Sequence, residues 1–535
     1  MIIGLFQNKM KIDNLKTWPG YRKIPDRLNI TDEVLNDQKL EKLGNRTAFV
    51  FEGEKLSYQL LKKKVNALSL GLKTAGIKPK EKVLIRLQNC PEFIISFLGI
   101  IKIGAIPVLQ NSSLGTEEIE YVCKHSGAVA AITEGNISSS LEAFKKHFFK
   151  GLIIVNNTEK KNVEFDSLLE AHFGQDVSTF ETKANDPAFI VYTSGTTGRP
   201  KGIVHAHRWI IAQGDINKLR VPPLENDIIL ATGEWSFISA LGHNVLFPLR
   251  NSLTGVILKG RMYPERVLQA IDDYKVTLLY SVATVYRRIL AVEGIENGFK
   301  LGSLRGCNAT GEPLEAETYK VWRKRFNCPI WEHYGVSEMQ LVFGQSPHWK
   351  IKPGSVGKPL PGTSIEILNE NSKPVKPEET GQLVIGSDNP GFFLKYHKDP
   401  KTTKNVVHDG WYHTGDLAYA DRDGYIWIVG RKDDCFKSRG IFISPIEIEN
   451  ALRKHEGVTE ACVVGKFDKE IGKKICAFVV LREKNRETKK FENELKNSLR
   501  NQIAHFKVPH TIEFLDELPK SPVGKVLRRK LAQLS

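Results

Sequence analysis

The sequence predicts an α/β protein with a large N-terminal domain of largely parallel sheets, a β-rich subdomain, and a small α+β C-terminal domain. Three observations predict it. Strand-like runs alternate with helix-period segments through the first part of the chain, the texture changes to strands joined by Gly/Asp/Pro turns after about residue 355, and a charged turn at 430–434 is followed by a new set of helix and strand patterns. At 535 residues the chain is too long for one hydrophobic core, so at least two domains are expected.

The helix-period segment 56–76 opens the pattern, and the runs 82–88, 151–157, 227–232 and 255–260 read as strands. Phe93 to Leu109 is the longest apolar stretch; Lys102 and Pro107 interrupt it, and it is shorter than the roughly 20 residues a membrane span requires. It reads as a buried helix running into a buried strand. Residues 363–386 read as strands with polar turns. Ser444-Pro445-Ile446-Glu447 reads as a capping box with proline at the first helical position, followed by strands at 460–467 and 474–481 and a helix at 492–503. The expected division is therefore 1–431, a connecting hinge at 432–434, and 435–535.

Composition excludes several classes. Hydrophobic residues make up 41% and charged residues 26%, the balance of a folded, water-soluble chain, and no signal segment is recognisable, so a cytoplasmic location is expected. The seven cysteines show no CxxC spacing and read as free thiols. The net charge of +16 is spread along the chain instead of forming an arm or block, which argues against a nucleic-acid partner and for some basic surface toward phosphorylated ligands. A monomer and a homodimer are both compatible with the sequence.

The densest chemical signal is Tyr192-Thr-Ser-Gly-Thr-Thr-Gly-Arg-Pro-Lys-Gly202, directly after an apolar strand. Gly195, Gly198 and Gly202 permit close approach of backbone N–H groups to phosphate oxygens. Thr193, Ser194, Thr196 and Thr197 add hydroxyl donors, and Lys201 adds a positive charge. This is a phosphate loop, but not GxxxxGK[ST], because glycine follows the lysine. Further along stand Gly311-Glu312-Pro313, Tyr334-Gly335-Val336-Ser337-Glu338, Tyr412-His-Thr-Gly-Asp416, Gly430-Arg431-Lys-Asp433-Asp, Lys437-Ser-Arg439-Gly440, and Pro522-Val-Gly-Lys525.

This ordered set resembles the adenylate-forming superfamily, which includes acyl-CoA synthetases, aryl-CoA ligases, firefly-type luciferases and peptide-synthetase adenylation domains. The resemblance implies ATP-dependent adenylation of a carboxylic acid, then transfer of the acyl group to coenzyme A. It implies Glu338 as the Mg²⁺ ligand, Ser337 and Lys201 as phosphate contacts, Tyr334 and Gly311 to Pro313 as the walls of the adenine pocket, and Asp416 with Arg431 at the ribose. It also implies Lys525 as the catalytic lysine on a mobile C-terminal domain that pivots at Asp433, with Arg439, Gly440 and Ile441 along the coenzyme A path. Arg500 and Lys507 are further candidates for its phosphates.

The segment 233–249 holds no aspartate to bind a substrate amine, which argues against amino acids. Trp235, Phe237 and Leu241 are expected to line the acyl pocket, and Gly335 to leave its end open. Residues 235–250 and 437–452 are most similar to the benzoate, aminobenzoate and medium-chain acyl-CoA synthetase branch, which implies a medium-chain or aromatic acid. The alternatives are a ligase that loads a carrier protein and a non-catalytic acyl or nucleotide binder; the presence of Lys201, Glu338, Asp416, Arg431 and Lys525 argues against the latter.

Overall fold

The computed structural model describes residues 24–142, 144–155, 163–193, 199–438, 441–468, 472–482, 489–520 and 526–534. Contacts divide the chain into two units: residues up to Ser364 with Gly386–Tyr412, and Ile365–Ile385 with the chain from His413 onward.

The first unit holds two large sheets. One has eight strands among the described residues, and its parallel core pairs Lys82–Arg86 with Ile106–Leu109 and Ala130–Glu134; Leu152–Val155 and Pro187–Thr193 extend it. The other has nine, built on parallel pairing of Thr47–Phe51, Thr254–Ile257, Ile228–Ala231, Leu278–Ser281, Gly306–Ala309 and Ile330–Val336. The expected strands are all present; Lys82–Arg86 stops short of residue 88, Leu152–Val155 and Ile228–Ala231 are shorter at their starts, Thr254–Ile257 begins one residue early and ends sooner, and Asn156 and Asn157 lie outside the described residues.

The expected helices also form. Tyr58–Thr74 starts where Ser57 accepts a hydrogen bond from the Leu60 N–H at 3.1 Å. Pro91–Lys102 carries proline in its first turn, where no intrahelical N–H is required, and it is buried along nearly its whole length before the chain enters Ile106–Leu109. All seven cysteines are free thiols. Among the described residues no helix is long and apolar enough to cross a membrane.

In the second unit Ile365–Leu368 pairs antiparallel with Gly381–Gly386, as the strand-and-turn texture predicts. Further on, Val458–Asp468 and Gly472–Leu481 form an antiparallel pair to which Thr511–Phe514 adds in parallel. The helix Lys489–Arg500 buries Phe491, Leu495 and Leu499, one face at four-residue spacing, in the same core as Ile448 and Leu452 of Pro445–Arg453. Proline does open that helix, but the capping box is not formed. The Ser444 hydroxyl donates to the Val429 carbonyl at 2.6 Å, and Glu447 is drawn away by Lys507, whose Nζ lies 2.7 Å from both carboxylate oxygens. A tertiary partner with full charge outcompetes the local cap.

Candidate active site

Thr193 ends one strand and Lys201 begins the next. The two residues are register partners in an antiparallel pair, with Tyr192 opposite Gly202, so the ends of the glycine-rich loop stand side by side. Ser194, Gly195, Thr196, Thr197 and Gly198 lie outside the described residues. Gly202 serves packing: a Cβ there would stand 3.0 Å from the Tyr192 ring and 3.1 Å from His397 Cβ.

Lys201 leads to Glu338 through a residue the sequence reading did not single out. Tyr396 pairs with Ile203 on the strand that Lys201 begins, and the Lys201 ammonium lies 5.5 Å from its ring centroid. The Tyr396 hydroxyl donates to Glu338 Oε1, and the Phe393 N–H donates to the Glu338 carbonyl at 2.9 Å. Glu338 is only 8% exposed, so its carboxylate is held in one position. Burial, and then the neighbouring Glu338 carboxylate, push the Tyr412 phenol well above its ordinary value, so it stays protonated.

The neighbouring Ser337 is fixed from behind, where its carbonyl accepts a hydrogen bond from His205 Nε2 at 3.1 Å. His205 is fully buried and stacks on Phe189, with ring centroids 4.9 Å apart. Burial lowers its pKa to about 3, so it is a neutral donor. Among the described residues no group of three or more His, Cys, Asp or Glu side chains could hold a metal ion. A single buried carboxylate suits a metal that arrives with phosphate and water ligands, as Mg²⁺ does.

The Gly311–Pro313 loop is tied to the strand that carries Tyr334. Glu332, on that strand, accepts the Leu314 N–H at 3.0 Å. The Glu312 carboxylate is already engaged by the Thr284 N–H and by Arg287, 3.2 Å away, so only the Glu312 backbone remains for a base. Tyr334 is half-buried and leans on Phe343, with ring centroids 5.4 Å apart.

In the second unit Asp416 and Arg431 are register partners on adjacent strands, joined by an ion pair of 3.1 Å. Arg431 also donates to the Thr414 carbonyl at 2.9 Å, and the Thr414 hydroxyl accepts the Asp416 N–H at 3.0 Å. Asp433 is exposed in the turn that follows.

The expected acyl-pocket residues divide. Phe237 is half-buried, whereas Trp235 and Leu241 expose no surface at all and belong to the main core; Trp235 packs edge-on against Phe93 at 5.6 Å. An apolar run reads the same whether it lines a pocket or fills a core. The open space expected at Gly335 is absent too: a Cβ there would lie 1.7 Å from the Gln340 carbonyl oxygen. The missing side chain lets the chain double back from Val336 to Met339, and says nothing about pocket depth.

Of the coenzyme A candidates, Ile441 is exposed and borders a cavity of about 70 Å³ with Ser438, His505 and Phe506. Arg500 is exposed, and Lys507 is committed to Glu447. Arg439, Gly440 and Lys525 lie outside the described residues.

Residues 36–397 match the family model described as AMP-binding enzyme, and residues 447–525 the one described as its C-terminal domain. The chain belongs to the AMP-binding enzyme family. Relatives include an uncharacterized acyl–CoA ligase, YtcI, of Bacillus subtilis, 32% identical over 95% of this chain and 96% of that protein. The benzoate–CoA ligase of Thauera aromatica is 30% identical over 97% and 98%. Among solved structures, the anthranilate CoA ligase AuaEII in complex with anthranoyl-AMP superposes with a TM-score of 0.89 at 27% identity, covering 95% of this chain and 97% of that one.

This AMP-binding enzyme keeps three histidines neutral, His205 and His207 buried and His397 half-buried. Burial holds His205 at about 3 and His207 and His397 at about 4, below the ordinary value of 6.5. A folded pKa below the unfolded one means that the unfolded chain binds more protons in acid, so this contribution is complete above pH 6.5 and is lost as the pH falls toward about 4. The expected outcome is a melting temperature that is flat between pH 7 and 8 and falls steeply between pH 6.5 and 4, read by thermal denaturation.

Proposed function

We propose that this enzyme is an AMP-forming acid–thiol ligase acting on a medium-chain or aromatic carboxylic acid, with coenzyme A as acceptor. The observation that carries the reading is the linkage of Lys201, Tyr396 and Glu338 at the root of the glycine- and hydroxyl-rich loop. That linkage brings a cation and a fixed carboxylate together near the point where the loop returns to the sheet at Lys201, which supports the reading of the loop as a phosphate site. The benzoate and anthranilate ligases among the relatives favour the aromatic class.

In the first half-reaction a carboxylate oxygen of the acid attacks the α-phosphorus of ATP, and the bond to pyrophosphate breaks. The acid is already ionised at neutral pH, so no general base is required. Lys201 and the loop hydroxyls offset phosphate charge, Ser337 offers a hydroxyl to the α-phosphate, and Tyr334 stacks on adenine. Glu338 is the residue that would hold Mg²⁺, which neutralises the polyphosphate when bound. Asp416 accepts the ribose hydroxyls, oriented by Arg431.

In the second half-reaction the thiol sulfur attacks the acyl carbon, AMP leaves with the bonding electron pair, and the thiol proton passes to solvent. Lys525 acts in the first step, and rotation about Asp433 exchanges it for the Gly440 segment in the second. A side chain at Gly440 blocks the pantetheine arm. Gly440→Leu is therefore expected to leave acid-dependent pyrophosphate release within about threefold of wild type while thioester formation falls by about 10²-fold or more. Free coenzyme A and a phosphopantetheine-bearing carrier protein should be compared as acceptors in the same assay. Preference for the carrier, or undiminished thioester synthesis by Gly440→Leu, contradicts the reading.

A further inference from the structure

Behind the strand that carries Tyr334 lies a buried polar cluster to which no step above assigns a role. His333 immediately precedes Tyr334, and His243 sits on the π-helical turn Leu241–Leu246, two residues beyond Leu241. The His243 ring stacks on Tyr280 at 4.2 Å and lies 5.0 Å from the His333 ring. All three side chains are at most 3% exposed. Yet His243 Nε2, both nitrogens of His333 and the Tyr280 hydroxyl have no hydrogen-bond partner among the described residues. Unpaired polar atoms in a dry interior each cost about 1–3 kcal/mol, and a group of them at one place calls for a common partner.

The geometry also states what that partner must offer. His243 Nδ1 lies 2.8 Å from the Ser239 carbonyl, 3.1 Å from Gln340 Nε2 and 3.3 Å from the Ser239 hydroxyl, so this nitrogen is already engaged and Nε2 is the one left for a partner. Beside the cluster Arg220 is fully buried, donates to Asn308 Oδ1 at 2.6 Å, and has no carboxylate within 4 Å among the described residues. Burial lowers the pKa of His243 to about 3 and holds His333 well below its ordinary value, so both rings stay neutral. A cationic group is therefore disfavoured next to Arg220, and an apolar one leaves the polar atoms unpaired. A hydroxyl both donates and accepts, so it pairs with Nε2 in either tautomer of His243 and still meets the Tyr280 hydroxyl or a His333 nitrogen.

We infer that this cluster recognises a hydroxyl group on the acid, held by His243 Nε2 with Tyr280 and His333 around it. The inference rests on the adenylation reading above and narrows its substrate class to hydroxylated acids. The test uses matched pairs, benzoate with 3- and 4-hydroxybenzoate, and butyrate and hexanoate with their terminal hydroxy acids, in acid-dependent pyrophosphate release. The full-length enzyme is expected to prefer the hydroxylated member of at least one pair by about tenfold or more in kcat/KM, because a site built to hydrogen-bond a hydroxyl rejects the analogue lacking it.

His243→Asn keeps a donor toward Ser239 and removes Nε2, so the preference should fall toward one; His243→Gln, which retains a polar atom near the Nε2 position, should keep part of it. A loss that is equal for both members of a pair marks a structural role and overturns the inference, as does wild-type enzyme that uses every unsubstituted acid at least as well as its hydroxylated partner. The wild-type comparison decides the matter even if a variant fails to fold. Pyrophosphate release from no acid at all overturns the adenylation reading itself, a different result from release without hydroxyl preference.

Discussion

Lys525→Ala is expected to lower acid-dependent pyrophosphate release by about 10²–10³-fold while leaving conversion of supplied acyl-adenylate and coenzyme A to thioester within a few-fold of wild type. Adenylation brings an anionic carboxylate against an anionic phosphate, and a point charge bridging the two is worth most where charge crowds in the transition state. The second half-reaction relieves that crowding, since a neutral acyl carbon is attacked and AMP departs. Stopped assays of each half-reaction separate the two outcomes. Equal loss in both steps would remove Lys525 from its assigned role.

Glu338→Gln has the second large effect. The amide is nearly isosteric and its oxygen can still accept from the Tyr396 hydroxyl, so the fold around the site should hold; what disappears is the negative charge. Adenylation is expected to fall by about 10²-fold, and the Mg²⁺ concentration for half-maximal rate to rise by about tenfold or more, because a hard dication would lose the carboxylate proposed to hold it. Titration of pyrophosphate release against Mg²⁺ reads both. Loss of activity with an unchanged Mg²⁺ dependence would leave Glu338 a structural partner of Tyr396 and nothing more.

Features encoded locally were legible in the sequence. The run Phe93 to Leu109 declared a buried helix and strand because it is apolar almost throughout, with Lys102 closing the helix and Pro107 falling in the strand that follows. The alternation of strand and helix periods carried the parallel sheets, and the ordered motifs carried the family. Contacts that cross the chain were not legible. Tyr396 reaches Glu338 over 58 residues, and His205 reaches Ser337 over 132, and no local period marks either.

The errors have the same origin. Ser444 and Glu447 have the spacing of a capping box, but Val429 and Lys507 arrive from elsewhere in the second unit and take both side chains. Trp235 and Leu241 are apolar at positions where a pocket was expected, and burial decides between pocket and core only in three dimensions. Gly335 was read for the side chain it lacks, whereas the Gln340 carbonyl that excludes a side chain comes from the returning strand. The glycine-rich loop is a partial exception, since Thr193 and Lys201 flank it in sequence and also pair across the sheet.

The central claim, activation of a carboxylic acid as its adenylate, is tested most directly by acid-dependent exchange of labelled pyrophosphate into ATP with coenzyme A left out. Exchange that requires Mg²⁺ and one class of acid, and that yields AMP and a thioester once coenzyme A is added, is the predicted result. Exchange absent with every straight-chain, aromatic and hydroxylated acid, or ADP in place of AMP as the product, would contradict it.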